Sequence, residues 1–178
     1  MKKLLFIVLT LFFLSSWMVL LPDQAEEALA KKKVQYLYSF TKYIEWPAES
    51  KQGNFTIGVV GSNPAIASEL NKLVTVINGK AETTQKLEIL NIGSNTDPSK
   101  CHIVYVLPES SSELKDIVTK LKSKNTLIVT ESRGLMAQGS AINFYFVESK
   151  LNFELSKSNI VSHNLKVANT LESLAKNQ

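Results

Sequence analysis

The chain has 178 residues, 44% of them apolar and 20% charged, with a formal net charge of +4. That length argues for one domain, and the apolar share supports a real core while excluding low-complexity disorder and a multi-span membrane protein. The lysines are scattered rather than gathered on one face, which argues against a nucleic-acid binder, and the single cysteine excludes a disulfide framework or a cysteine-rich metal site.

Lys2 and Lys3 precede an apolar run from Leu4 to Leu21, broken only by Thr10, Ser15 and Ser16. A basic start followed by an apolar core is the layout of a secretory signal, and a run of this length also just suffices to span a bilayer. Residues 1–30 are therefore expected to be a cleaved signal peptide or an uncleaved N-terminal anchor, with 31–178 as the exported domain. Ala28-Leu29-Ala30 is the better small-x-small cleavage candidate; the alternative after Ala25 puts Asp23 where a small residue is wanted. Membrane contact is expected only through this segment, if it is retained.

The spacing predicts a helix over 26–46, with Val34, Leu37, Thr41 and Ile44 on one stripe and Tyr36, Phe40 and Tyr43 on another. So wide an apolar arc means burial on more than one side. Core packing is the reading of the aromatic stripe, with a partner-binding face as the alternative, and Lys31–Lys33 reads as a solvated helix end. Pro47 stops the helix at Trp46. FTIGVV (55–60) is a β-branched apolar run, hence a buried strand, followed by the turn Gly61-Ser62-Asn63-Pro64 and a helix to about Leu73. Residues 86–92 alternate as a strand. HIVYVL (102–107) is continuously apolar after His102, as a central strand covered on both faces should be, and TLIVT (126–130) reads as another buried strand. A helix is expected between them over 112–122. INFYFVES and KLNFELS read as two strands joined by a tight turn near Glu148-Ser149-Lys150, and a last helix over 157–175 is expected to break near His163-Asn164. Strands alternating with helices, then a hairpin, specify an α/β fold. The expected architecture is a three-layer sandwich with a mainly parallel sheet and a C-terminal antiparallel hairpin at its edge.

No catalytic set can be assembled. His102 and His163 lie far apart with no ligand spacing between them, and both read as structural. Cys101 and His102 are neighbours on a strand, so they point to opposite faces and cannot form a dyad. No nucleophile elbow or phosphate-binding loop is present, and neither a cofactor nor a metal site is expected. Two weaker candidates remain. The loop Gly61-Ser62-Asn63 lies outside the carboxyl end of a strand, where α/β proteins bind small ligands, although a plain strand-to-helix turn explains it too. In the last strand Leu151, Phe153 and Leu155 share one face and Asn152, Glu154 and Ser156 the other. Asn152 and Glu154 are therefore candidate partner contacts, with Ile160 as an apolar anchor if the following helix leaves it uncovered.

The segment YLYSFTKYIEWP (36–47) resembles the opening signature of the YfiR family. The resemblance continues in order through FTIGVVG, the Asn78-Gly79-Lys80 turn, CHIVYVL, GLMAQGSAINF and LNFEL, and so covers about residues 31–176. It implies a small, non-catalytic periplasmic protein whose partner is an inner-membrane diguanylate cyclase, which it restrains to lower cyclic di-GMP output. Two departures stand out. Ser140 replaces a usual second glycine, and Cys101 is alone where family members often carry several cysteines, so control by an internal disulfide is unavailable. A periplasmic small-molecule binding or sensing module acting on another membrane protein is the alternative. A homodimer is left open.

Overall fold

The computed structural model describes residues 22–176, so the apolar run expected to direct export lies outside the described residues. Helix α1 spans Pro22–Tyr43 and starts earlier than the spacing predicts. Ala30, Val34, Leu37 and Phe40 form its buried stripe, spaced three and four residues apart as one helix face requires. Strand β1 (Ile44–Glu45) follows, and then β2 (Phe55–Val60), α2 (Pro64–Asn78) and β3 (Leu87–Ile92). Next come β4 (Ile103–Val106), α3 (Leu114–Lys120) and β5 (Leu127–Thr130). The chain closes with β6 (Ile142–Val147), β7 (Lys150–Leu155), α4 (Lys157–Ser162), β8 (Lys166–Val167) and α5 (Asn169–Lys176).

The main sheet has the order β3-β2-β4-β5-β6-β7. Every pairing is parallel until the β6–β7 hairpin, which pairs antiparallel and leaves β7 as the outer strand. One face is covered by α1, α2 and the C-terminal segment, whose Ile160, Leu165 and Leu171 join the larger core cluster. The other is covered by α3 through Leu114, Ile117 and Leu121 over Val104, Val106 and Ile128. The expected three-layer α/β sandwich with an edge hairpin is what forms. The runs at 103–106 and 127–130 are buried throughout because both faces of those strands are roofed.

The helix expected at 112–122 opens instead as a 3-10 turn over Pro108–Glu113 before α3 begins. The C-terminal helix breaks where expected: Asn164 takes a positive φ of 56°, and β8 then pairs antiparallel with β1. That two-stranded ribbon pins the C-terminal segment to the end of α1. Glu148 and Ser149 both have positive φ, the backbone that a tight two-residue hairpin turn needs. Gly58 on β2 leaves space for its neighbours: a Cβ there would lie 2.7 Å from Cys101 Sγ and 2.4 Å from Ile92 Cδ1.

Candidate functional site

The order β3-β2-β4 means that the chain leaves β2 in one direction and returns on its other side, so a crevice opens beyond the carboxyl ends of β2 and β4. The loop Gly61-Ser62-Asn63 forms one wall. Gly61 has φ 101°, and a Cβ there would meet Glu109 Oε1 at 2.8 Å. Glu109 fills the crevice from the β4 side, its Oε1 accepting the Ser62 backbone N–H at 3.1 Å. Asn63 caps α2, its Oδ1 accepting from Ile66 N at 2.9 Å, while its Nδ2 donates to Glu26 of α1 at 3.1 Å. Pro64 has no N–H to offer. The Ser62 and Ile66 N–H groups are thus committed, and a carboxylate stands beside the helix start. Beside the loop, between α2 and the edge strand β3, lies a groove of about 360 Å³.

Sequence reasoning missed a polar cluster at the same end of the sheet. Lys31 and Lys32 are exposed as a solvated run should be, but the run lies within α1 rather than at its end, and Lys33 turns inward. Its Nζ donates to Glu131 Oε2, and Tyr105 on β4 donates its hydroxyl to Glu131 Oε1. The Lys33 and Glu131 side chains are only 13% and 5% exposed. Burial pushes the Glu131 carboxyl up, and the Lys33 ammonium offsets this only in part. Three elements distant in sequence meet here, so no local spacing could reveal the cluster.

At the opposite end, both histidines are structural. His102 Nδ1 accepts from Thr56 N at 3.1 Å, and Nε2 donates to Ser50 O at 2.7 Å, which fixes the neutral tautomer. Its ring stacks on Phe55 with centroids 4.4 Å apart. His163 lies against Lys124 O at 3.3 Å. Burial lowers the pKa of both. Cys101 is a free, buried thiol, and burial pushes its pKa up to about 11. A maleimide is therefore expected to label the native protein far more slowly than the denatured protein. Rapid native labelling, followed by mass spectrometry, would show that the start of β4 is open.

The last strand sorts its residues by face. Leu151 and Phe153 are buried and Leu155 half-buried on the core side, whereas Glu154 is exposed and Asn152 half-buried on the other. Ile160, an apolar anchor only if the following helix left it uncovered, is fully buried in the core. It cannot meet a partner. Glu154 is not a merely solvated charge: its Oε1 accepts from Asn143 Nδ2 at 3.0 Å, and Asn143 Oδ1 accepts from Thr130 Oγ1 at 2.7 Å. Ser140, the departure noted above, lies 2.8 Å from Thr130 Oγ1 and donates to Ile142 O at 2.8 Å. A hydrogen-bond chain from Thr130 through Asn143 thus tethers the exposed Glu154 carboxylate to the sheet. Asn152 donates to Lys150 O at 3.2 Å and stands across from Tyr145. The structure brings Asn152 and Glu154 together on one face. The Gly61–Asn63 loop lies elsewhere, at the β2–β4 crevice.

No described helix is long and apolar enough to cross a membrane, and no described group of His, Cys, Asp and Glu could hold a metal ion. Comparison with curated proteins finds none that matches. A solved structure described as a conserved domain protein from Vibrio cholerae O1 biovar El Tor is similar in fold, at a TM-score of 0.52 and 14% identity. The alignment covers 82% of this chain and 58% of that one, so this chain spans little more than half the length of that neighbour. The family model described as YfiR/HmsC-like matches residues 30–176. The chain belongs to this YfiR/HmsC-like family.

Proposed function

We propose that this protein is a non-catalytic regulatory protein of the periplasm, delivered there by its N-terminal 30 residues, that binds and restrains a membrane-bound diguanylate cyclase and so lowers cyclic di-GMP signalling. The observation that carries this reading is the family match across residues 30–176, nearly all of the described chain. The outward face of β7 supports it with a contact surface. Glu154 is exposed but held in one orientation by buried Asn143, so little freedom is lost when it meets a partner donor. β7 is also the outer strand of the sheet, which places this face at the margin of the domain.

Glu154→Gln is the variant that tests this surface. The amide keeps an oxygen for Asn143 Nδ2, whereas Glu154→Lys would leave that buried donor unpaired at a cost of about 1–3 kcal/mol. Coexpressed with its cyclase, the wild-type protein is expected to lower cellular cyclic di-GMP. The Glu154→Gln protein is expected to melt within about 2 °C of it, a shift worth under ~1 kcal/mol, yet to lose most of the restraint. Unchanged nucleotide with the wild type would remove the restraint reading, and full restraint by Glu154→Gln would remove this surface.

A further inference from the structure

The groove beside the Gly61–Asn63 loop has a composition that selects among ligands. Its floor is apolar, made by Val59 of β2, Ile66 and Leu70 of α2, and Ile89 of β3. Asn71 of α2 and Asn91 of β3, both exposed, add carboxamides to its lining. Asn91 pairs with Val59 in the β2–β3 register, and Ile89 lies two residues before it on the same face. No lysine or arginine lines the groove. Two of its lining groups are held by carboxylates, Glu109 on Ser62 N and Glu26 on Asn63 Nδ2. An anion entering here would lose its hydration, find no cation, and meet two fixed negative groups. An apolar floor with neutral amides is instead the usual lining of a pocket for a small uncharged molecule, and about 360 Å³ is at the small end of such pockets.

We infer that this groove binds a small uncharged amphiphile with carboxamide or hydroxyl groups along one edge and an aliphatic body that sits on Val59, Ile66, Leu70 and Ile89. The groups at its polar edge pair with Asn71 and Asn91. A ligand carbonyl reaching Asn63 Nδ2 competes there with Glu26, so occupancy is transmitted to the early turns of α1. This rests on the small-ligand reading of the Gly61–Asn63 loop and not on cyclase restraint.

The test is a titration of the folded protein followed by backbone amide NMR, with N-acetylleucinamide as the uncharged probe and N-acetylleucine as its anionic counterpart. Ligands of this size reach roughly millimolar dissociation constants. Saturable shifts are expected at Ser62, Asn63, Asn71 and Asn91, followed by those around Glu26, with the anionic probe at least fivefold weaker. Ala67 is an exposed α2 residue on the groove wall, so Ala67→Trp fills the space from outside the core. That variant is expected to keep the rest of its spectrum and to lose the shifts. Absence of saturation, equal binding of the anionic probe, or shifts that persist in Ala67→Trp would each overturn the inference. Because no cyclase is present in the titration, any of these results leaves the Glu154 test untouched.

Discussion

Lys33→Met is expected to destabilise the protein by about 3–5 kcal/mol at neutral pH, the usual cost of removing one partner from a buried ion pair. The variant strands the Glu131 carboxylate, whose side chain is only 5% exposed, with Tyr105 as its sole remaining described donor. The pH dependence gives the sign. Burial already raises the Glu131 pKa in the folded state, and without Lys33 it rises further. The folded state then binds a proton more tightly than the unfolded chain does. This group's contribution is most favourable below the unfolded value near 4.5 and is lost as pH rises through the folded pKa. The deficit of Lys33→Met should therefore shrink between pH 8 and pH 5 in urea denaturation. Adding Glu131→Leu should recover most of it, since apolar replacement of a buried pair is often neutral, although the Tyr105 hydroxyl then lacks its acceptor. A single variant within about 1 kcal/mol of wild type at neutral pH would mean that water reaches the pair.

The second large effect is expected at Phe40. Its ring is fully buried in α1, with its centroid 6.0 Å from that of Phe144 and 5.4 Å from that of Phe153, and Tyr36 stacks on it from the preceding turn at 6.4 Å. These rings join α1 to the β6–β7 hairpin, and Tyr105 extends the cluster towards β4 at 6.2 Å from Phe144. Phe40→Ala removes the ring from a rigid aromatic cage that cannot collapse around the gap, so the cost is about 3–5 kcal/mol. For a domain of this size that lowers Tm by roughly 10 °C or more. Phe40→Leu keeps most of the volume and should cost less than half as much. A loss under about 1 kcal/mol for Phe40→Ala, far below the range for buried aromatics, would show that the cage repacks. The same substitution separates two roles of the aromatic stripe. A partner face would lose restraint at unchanged stability, and a core face loses stability first.

Several elements were legible because their signal is local. The runs at 55–60, 103–106 and 127–130 are apolar at nearly every position, with only Thr56 and Thr130 polar, and strands roofed on both sides use such runs. The hairpin was legible from its alternation, and that period of two also placed Glu154 opposite the core before its hydrogen bond to Asn143 was known. The isolation of Cys101 and the absence of ligand spacing between the histidines likewise need only the sequence.

Other features depend on partners supplied from far along the chain. Lys33 looks like its exposed neighbours Lys31 and Lys32, and only the approach of Glu131, 98 residues away, turns it inward. Whether Ile160 is covered depends on how the segment after β7 packs, and only its place in the core cluster shows that it is buried. The ribbon of β1 and β8 is two residues per strand, too short for any periodicity, and it forms because the end of α1 meets the C-terminal segment. The groove beside Gly61 has the same origin: α2 and β3 are adjacent in sequence, but their separation is set by how both pack on β2. By itself, then, the sequence determined the longer strands and helices and which of their faces are apolar, since both follow from nearest-neighbour sterics and side-chain period. The tertiary structure alone decided which charges are buried, which apolar residues remain exposed, and where the crevices lie. Those depend on desolvation by residues that the local sequence does not contain.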